Sequence, residues 1–388
     1  MTTAMTSDHK TGRILRIAQM TSGHEAHDTR IVTKQCGALA AAGHEVFLVC
    51  RAPEGAANTP DGVTLVPLPR PTGRFSRFWR TARDVRRAAE ALDPDIYHFH
   101  DPELLPHGIA LARRGAAVVY DVHEDYRASL RNRAWIPAPL RRILSFGIAW
   151  LERRMERLGW VAAATPDIEG HFTPARTALI QNFPSLTEFD SQPAADPTVR
   201  PARLIYVGAV TEERGITDIL TALPGLAKDH PGLTFDLVGP IDAALLAQMQ
   251  TMPGWQYTQI HGRQPRAEVV RLLACAQIGI CALRDLPRYR VSQPTKLYEY
   301  MAAGLPVLAS DFPFWKDLVG DGIGAYVAPG PEGITAGLHA LLAAPERAAE
   351  IGAQNSARVT KFSWEADFEK LLALYDRALA DHKASGRE

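Results

Sequence analysis

The stretch Val291-Ser-Gln-Pro-Thr-Lys-Leu-Tyr-Glu-Tyr-Met-Ala-Ala-Gly-Leu-Pro-Val-Leu-Ala-Ser310 has the form of a helix followed by a buried strand. Pro294 has a fixed φ and no N–H group, which predicts that it is the first helical residue. The free N–H groups of Thr295 to Leu297 and the helix dipole favour an anion, and Lys296 adds a positive charge. Gly304 is predicted to end the helix.

Glu299 lies one helical turn after Lys296, where its carboxylate can accept hydrogen bonds from two hydroxyl groups of the same ligand. A helix that binds both an anion and a pair of sugar hydroxyls is suited to a nucleotide. An ordinary amphipathic helix with a Glu–Lys pair on its surface is the alternative interpretation. A second segment, Arg203-Leu-Ile-Tyr-Val-Gly-Ala-Val-Thr-Glu-Glu-Arg-Gly215, reads as a strand ending in glycine and a loop that brings Arg214 to the start of another helix.

On these residues the chain resembles glycosyltransferase family 4, the retaining nucleotide-sugar enzymes of the GT-B fold. That family usually has Gly-Arg followed by Lys-Gly after four residues, and two glutamates separated by seven residues. Gly208 matches the first glycine and Glu299 the ribose-binding glutamate. Ala209, Arg214 and Val291 stand where the family has arginine, lysine and the first glutamate. The resemblance covers nearly the whole chain, and it implies an α/β protein with two Rossmann-like domains whose parallel sheets face a central cleft.

The order of strand-like and helical runs agrees with a parallel α/β architecture. We predict an N-terminal, acceptor-side domain over 1–187 and a nucleotide-sugar donor domain over 203–367. The residues between them, 188–202, form a linker rich in Pro, Asp and Ser without an apolar period. The resemblance implies that a final helix over 368–388 packs back on the first domain.

Composition limits the class of protein. The 388 residues are enough for two domains, and 43 basic residues balance 43 acidic ones, so net charge does not indicate a nucleic-acid partner. The four cysteines form no Cys-x-x-Cys pair, which predicts buried free thiols. No apolar run is long enough to span a membrane, and residues 1–12 lack a signal-peptide core, so we expect a cytoplasmic protein.

Three polar segments follow strands of the first domain. In 21–30, Gly23 can let the backbone approach a ligand. The resemblance implies that this loop meets the donor phosphates and the acceptor, and Gly23 is assigned to the donor and Asp28 and Arg30 to the acceptor side. The alternative is a solvated loop in which Asp28 caps the next helix. In 98–101, we expect His100 and Asp101 on the acceptor side.

His98 and His100 point to the same side of a strand, so a metal site and a pair of core histidines are alternatives for this segment. No metal is expected, because the resemblance implies that helix dipoles and cations do the work of a metal. Residues His123 and Glu124 follow the apolar run 118–122, together with Asp125. By resemblance, His123 lies beside the transferred sugar, and Glu124 is assigned to the acceptor side. A buried histidine held by a backbone carbonyl is the alternative.

Two arginine-rich stretches carry aromatic residues between their arginines. The first has seven arginines over 70–87, most of them on a helix predicted over about 74–92, and the second has five arginines around Trp150 on a helix over 140–158. Such helices can lie on anionic lipid, so peripheral association with the inner face of the plasma membrane is a hypothesis that suits a lipid-linked acceptor. A solvated helix face is the alternative.

The predicted function is that of a retaining glycosyltransferase, which moves a sugar from a nucleoside-diphosphate-sugar to a hydroxyl acceptor. The acceptor is a glycan, a lipid-linked precursor or a small molecule, as in polysaccharide biosynthesis, and no further cofactor is expected. Arg214 and Lys296 would stabilise the departing diphosphate and His123 would orient the sugar. A sugar-nucleotide epimerase of the same fold is one alternative. A non-enzymatic partner subunit is the other, because Ala209 and Val291 depart from the family pattern.

Overall fold

The structure, a computed structural model, describes residues 13–26, 28–52, 59–69, 80–132, 136–190 and 202–384. The chain divides into two compact units. One is formed by Met1–Asn182 with Ala366–Glu388, and the other by Phe183–Glu365. The second unit begins a few residues before the predicted boundary at 187, because Phe183 and Phe189 both lie in its hydrophobic core.

In the described residues, the first unit contains a sheet of seven parallel strands. The strands are β1 (Arg16–Glu25), β2 (Glu45–Arg51), β3 (Val63–Leu68), β4 (Ile96–Phe99), β5 (Ala117–Val122), β6 (Trp160–Ala163) and β7 (Thr177–Leu179). Their spatial order is β3-β2-β1-β4-β5-β6-β7. The central strands are buried along almost their whole length, which explains their continuous apolar sequences.

Helices of the first unit connect these strands. They are α1 (Gly37–Ala41), α2 (Ala82–Glu90), α3 (Leu105–Arg113), α4 (Tyr126–Asn132), α5 (Ala138–Leu158) and α6 (Pro166–Glu169). A π-helix over Thr29–Cys36 precedes α1, so the helical segment between β1 and β2 changes its winding part-way. A basic helix is predicted over about 74–92, and α2 forms its described part. Residues 70–79 lie outside the described residues.

The second unit has a sheet of six parallel strands within the described part of the chain. They are β8 (Arg203–Val207), β9 (Thr234–Val238), β10 (Thr258–Gly262), β11 (Ile278–Cys281), β12 (Val307–Ser310) and β13 (Gly324–Val327), in the order β10-β9-β8-β11-β12-β13. The helices are α7 (Ile216–Asp229), α8 (Ala243–Gln250), α9 (Arg266–Ala274), α10 (Pro287–Arg290), α11 (Thr295–Ala302), α12 (Pro313–Val319), α13 (Pro331–Ala343) and α14 (Pro345–Val359). The last helix, α15 (Trp364–Ala384), belongs to the first unit from Ala366 onward.

Both sheets confirm the prediction of two Rossmann-like units. In each, the strand order reverses beside the first strand, between β1 and β4 and between β8 and β11. Ligands of such sheets bind outside the carboxyl ends of the strands at this reversal point. The polar segments singled out from the sequence lie at these strand ends or directly after them.

Helix α11 begins one residue later than predicted. Pro294 has ψ of 116°, which is extended, so it is the N-cap and Thr295 is the first helical residue. The helix ends at Ala302, and Gly304 has φ of 69°, the left-handed conformation that glycine adopts easily.

Candidate active site

Lys296 lies in the first turn of α11 and is 6% exposed. Its Nζ donates to the Tyr206 hydroxyl at 3.0 Å and lies 4.1 Å from the centre of the Tyr206 ring. The Tyr206 hydroxyl in turn donates to the carbonyl oxygen of Ala209 at 2.8 Å. Among the residues that the structure describes, no carboxylate lies within ion-pair distance of this ammonium.

The electrostatics of Lys296 favour an incoming anion. Burial lowers its pKa to about 8, the positive charge of Arg214 acts in the same direction, and Cys281 and Glu299 oppose the shift. A buried cation without a counterion is costly, and an anion beside it would remove that cost. The ammonium is therefore suited to bind a phosphate.

Gly208 keeps the space above Lys296 open. It follows β8 with φ of 133°, a conformation that side chains disfavour, and a Cβ there would lie 3.0 Å from the Lys296 Nζ. The Gly208 N–H donates to the carbonyl oxygen of Val238 at 2.8 Å, which fixes the end of the strand. A larger residue would both strain the backbone and cover the ammonium.

Arg214 lies on a short 3-10 turn after β8, close enough for its charge to act on Lys296. Gly215 ends that turn with φ of 73°, and a Cβ there would collide with the carbonyl oxygen of Ala282. The guanidinium carbon of Arg214 is 5.3 Å from the centre of the Tyr289 ring. We find no ion pair of Arg214 in the described ranges, so neither of these two neighbouring cations is paired with a carboxylate.

The start of α11 differs from the prediction at Leu297. The Leu297 N–H donates to the carbonyl oxygen of Pro294 at 3.1 Å, and its side chain is fully buried. This amide is already used because the first turn closes on itself. Thr295 is half-buried at the same end of the helix.

Glu299 is not part of a Glu–Lys surface pair. Its carboxylate accepts from Arg266 Nη1 at 2.5 Å, and Arg266 Nε also donates to Glu188 at 2.7 Å. Arg266 is the first residue of α9 and was not predicted as a site residue. Of the three departures from the family pattern, Val291 is 60% exposed, and Ala209 is also exposed.

In the first unit, Asp121 of β5 is the centre of a buried polar network. It is fully buried, and Arg30 donates to it through Nη2 at 2.8 Å and Nε at 3.2 Å. Gln35 Nε2 donates at 2.6 Å, and His123 Nε2 lies 3.1 Å away. Burial would raise the pKa of Asp121, but the Arg30 charge and the histidine contacts hold it well below its usual range. Arg30, predicted to face the acceptor, is thus buried against Asp121.

The hydrogen bonds define the proton positions on the histidines. His100 Nε2 lies 2.7 Å from Gln19 Oε1, an acceptor, so Nε2 carries the proton. His100 Nδ1 then accepts from His123 Nε2 at 3.1 Å. Burial lowers the pKa of His100 to about 4, which keeps the ring neutral. The Tyr375 hydroxyl of α15 accepts from Gln19 Nε2 at 3.1 Å and donates to His98 Nδ1 at 2.6 Å.

One group of possible metal ligands lies in the described part of the chain. It consists of His98, His100 and Asp121, whose ligand atoms lie within 4.8 Å of one another. However, the Asp121 carboxylate already binds the Arg30 guanidinium, and a divalent cation there would lie beside that positive charge. The nitrogens that face Asp121 are His98 Nε2, at 3.9 Å, and His100 Nδ1, at 3.4 Å, while His98 Nδ1 and His100 Nε2 have hydrogen-bond partners in Tyr375 and Gln19. The Arg30 guanidinium therefore disfavours a metal ion at these three residues.

Asp101 holds the last part of β1 in place. Its Oδ2 accepts from Thr21 Oγ1 and Ser22 N, both at 2.7 Å, and from Gly23 N at 3.0 Å. A Cβ at Gly23 would collide with Asp101, which explains the glycine. In this structure Asp101 Oδ2 therefore holds the end of β1.

Asp28 is the N-cap of the π-helix, with Oδ1 accepting from Ile31 N at 2.9 Å, and its Oδ2 lies 3.0 Å from His24 Nδ1. Burial would raise the pKa of Asp28, but these hydrogen bonds lower it strongly. The bond to Asp28 raises the pKa of His24. His123, whose side chain is 11% exposed, and the exposed Glu124 border a cavity of about 880 Å³ together with His24.

Several residues of these networks were missed in the sequence. Asp121 and Gln19 are polar residues inside apolar strands, which was an available signal. Tyr206, Arg266 and Tyr375 carried no such signal, because tertiary packing alone brings them to the site. Cys36, Cys50 and Cys281 are buried free thiols as predicted, whereas Cys275 is half-buried. No helix in the described residues is both long and apolar enough to cross a bilayer.

Two family models match the chain in complementary parts. Glycosyltransferase Family 4 matches residues 29–175, and Glycosyl transferases group 1 matches residues 201–344. A glycogen synthase of Mycobacterium tuberculosis is 27% identical over 364 residues, which cover 86% of this chain and 85% of the relative.

Solved structures share the fold. A sucrose-phosphate synthase from Thermosynechococcus elongatus has a TM-score of 0.70 at 18% identity, and covers 94% of this chain and 100% of that one. Anabaena HepE in complex with UDP has a TM-score of 0.67 at 14% identity, with the same coverage of 94% and 100%. Together with the two family matches and the Rossmann-like sheet of each unit, these findings show a glycosyltransferase with the GT-B fold that resembles glycosyltransferase family 4.

Proposed function

We propose that the protein is a retaining glycosyltransferase that uses a nucleoside-diphosphate-sugar as donor and a hydroxyl group as acceptor. The observation that carries this proposal is the buried Lys296 ammonium, whose hydrogen-bond partner is the neutral Tyr206 hydroxyl, at a helix N-terminus beside Gly208. A diphosphate is the ligand that supplies the missing negative charge. HepE, which has the same fold, was solved with UDP.

The chemistry requires departure of the diphosphate from the anomeric carbon of the sugar. Arg214 and Lys296 would stabilise the charge that develops on the leaving oxygen, which is the largest catalytic contribution open to this site. Glu299 would accept hydrogen bonds from the ribose hydroxyls. The acceptor oxygen would attack the same face of the sugar and pass its proton to the leaving phosphate, so no protein base is required. His123 would orient the sugar.

The proposal is tested by titrating UDP, GDP and ADP into the purified protein by calorimetry, followed by turnover of the matching nucleotide sugars. NMR of the product would give the anomeric configuration, and an inverted configuration would overturn the retaining mechanism. Turnover of the donor to an isomeric sugar nucleotide without acceptor would identify an epimerase. Donor binding without transfer or hydrolysis in the presence of cell-derived acceptors would identify a non-enzymatic partner subunit.

A further inference from the structure

Helix α5 presents large apolar side chains to solvent. Ile143 is 66% exposed, Phe146 is 74% exposed and Trp150 is 53% exposed. At helical spacing these three residues share one face, opposite the buried Ser145, Glu152 and Met155. Exposed apolar residues grouped in this way mark an interaction surface.

The charges on α5 make the same face cationic. Arg142, Arg153 and Arg157 are exposed, whereas both acids of the helix are turned inward. Glu152 accepts from Arg127 Nε at 2.5 Å, and Glu156 accepts from the backbone N–H of Thr173. We call this combination of arginines and apolar residues the outer face of α5. Apolar groups ringed by arginines are complementary to an anionic lipid surface.

A cavity of about 880 Å³ lies beside the outer face and is bordered by α4 and α5. Its volume is within the range of about 300–1,000 Å³ that is typical of small-molecule sites. Much of its wall is apolar, formed by Leu130, Ile136, Leu144, Ile148 and Leu151. The opposite end is polar, and His24, Asp101, His123 and Glu124 border it.

We propose that this cavity binds the hydrocarbon chain of a lipid acceptor, and that the outer face of α5 rests on the anionic membrane that supplies this lipid. An apolar wall leading to a polar end matches an amphiphile, whose hydroxyl-bearing headgroup would lie against His123 and Glu124. The identity of the bound molecule as an acceptor rests on the proposed function. Binding of the chain itself does not, because it involves only residues of the first unit.

The cavity is tested with n-alkyl β-D-glucosides at concentrations where they are monomeric, without any nucleotide. Affinity should rise roughly fourfold for each methylene added from hexyl to decyl, because each buried methylene contributes a constant free energy. Gly147→Trp should reduce the affinity for decyl glucoside at least tenfold. Gly147 borders the cavity, and a Cβ there meets nothing within 4 Å, so the new side chain can enter the cavity without a clash.

Gly225→Trp is the matched control, since Gly225 is also a helical glycine with nothing within 4 Å of an added Cβ, but lies on α7 of the second unit. It should bind decyl glucoside like the wild type. Affinity that is independent of chain length, or equal in the two tryptophan variants, would overturn the proposal. If the wild type shows this dependence on chain length and on Gly147→Trp, but neither binds a nucleotide nor transfers a sugar, the proposed function is contradicted and the lipid cavity is not.

The outer face is tested by flotation with phosphatidylcholine vesicles that contain or lack phosphatidylglycerol. Wild type should float with the anionic vesicles at low salt, and Phe146→Glu should lose at least nine-tenths of this binding. Ile14→Glu is the control. Ile14 is also an exposed apolar residue, at 69%, but it precedes the first residue of β1, whereas Gly23 and His24 near the last residue of β1 border the cavity. Equal flotation with both vesicle types would refute the membrane contact. The membrane contact would also be refuted if the wild type formed a dimer and did not bind vesicles, and if Phe146→Glu abolished that dimer. The outer face would then be an interface with a second copy of the chain.

Discussion

At the scale of single residues, Lys296 shows how a cation can be kept ready for an anion. Its ammonium is buried with a neutral partner, so a large part of its interaction energy is unused until a ligand arrives. The cost of this arrangement is visible in the pKa, which burial lowers to about 8. Three predictions concern Lys296, Arg214 and Glu299, and a fourth concerns His123.

The pH dependence of nucleotide binding should report on Lys296. Because its pKa in the free protein is lowered to about 8, the ammonium is present below pH 8 and is lost above it. A bound diphosphate favours the charged form and raises this pKa. Affinity for a nucleoside diphosphate should therefore fall as the pH rises above 8, by up to about tenfold per pH unit. Calorimetry between pH 7 and 10 measures it, and Lys296→Met should bind weakly with no such step.

Removing Arg214 should weaken transition-state stabilisation by about 2–4 kcal/mol, because the leaving diphosphate would lose one of its two cations. The measurement is kcat/KM of Arg214→Ala. Arg288→Ala is a close control, since both guanidinium groups lie over the Tyr289 ring, at 5.3 Å for Arg214 and 4.9 Å for Arg288, while Arg288 pairs with Glu213. Equal losses in the two variants would assign Arg214 to local structure.

Glu299→Gln should reduce donor affinity by about 1.5–3 kcal/mol while the melting temperature without ligand changes little, since charge-assisted hydrogen bonds to ribose would weaken. The Arg266 partner remains paired with Glu188 in this variant. Glu188→Gln therefore serves as the comparison, because it removes the other Arg266 ion pair and should leave donor affinity unchanged. A large drop in melting temperature with normal donor affinity would make Glu299 structural.

His123→Ala should lower turnover much more than nucleoside diphosphate affinity, because His123 is expected to face the sugar. Its Nε2 is held between His100 Nδ1 and Asp121, each at 3.1 Å, which fixes the ring. Titration of nucleoside diphosphate into the variant, alongside turnover, separates the two effects. A parallel collapse of both would place His123 in the donor anchor or in the fold.

At the scale of elements, the sequence predicted best those site residues that directly follow a strand. Gly208 and Arg214 follow β8, and His123 follows β5, so their positions depend on local strand and loop signals. Contacts between distant segments carried no such signal. Tyr206 meets Lys296 across 90 residues, and Tyr375 meets His98 across 277. The local fold could therefore be predicted, but the partners that bury and orient the site residues could not.

The tyrosine of helix α15 gives a prediction at this scale. Tyr375→Phe should lower the free energy of unfolding by about 0.5–1.5 kcal/mol, because two buried hydrogen bonds are lost while Gln19 Nε2 remains 3.2 Å from His98 Nδ1. Tyr120→Phe is the matched control. Tyr120 is also fully buried in the first unit, but its hydroxyl has no hydrogen-bond partner among the described residues, so its loss should be neutral or stabilising. Urea denaturation measures both, and equal effects would contradict the assigned network.

At the scale of the whole molecule, the same sheet design occurs twice with different chemistry at its strand ends. The first unit collects histidines around a buried carboxylate, whereas the second collects cations around a glycine. Strand and helix order could be predicted for both, because parallel sheets leave long apolar runs in the sequence. The boundary between the units was less predictable, because Phe183 and Phe189 are apolar residues in a stretch that otherwise resembles a linker.

The position of Tyr375 has a consequence for the order of synthesis. Its hydroxyl completes a network begun by Gln19, 356 residues earlier, and by His98, 277 residues earlier. A ribosome that adds about 5–20 residues per second needs roughly 14–55 s to proceed from His98 to Tyr375. During that interval the histidine network of the nascent first unit lacks its last member. A chain released before α15 has been translated would retain His98, His100 and His123, but would lack the Tyr375 hydroxyl that donates to His98 Nδ1.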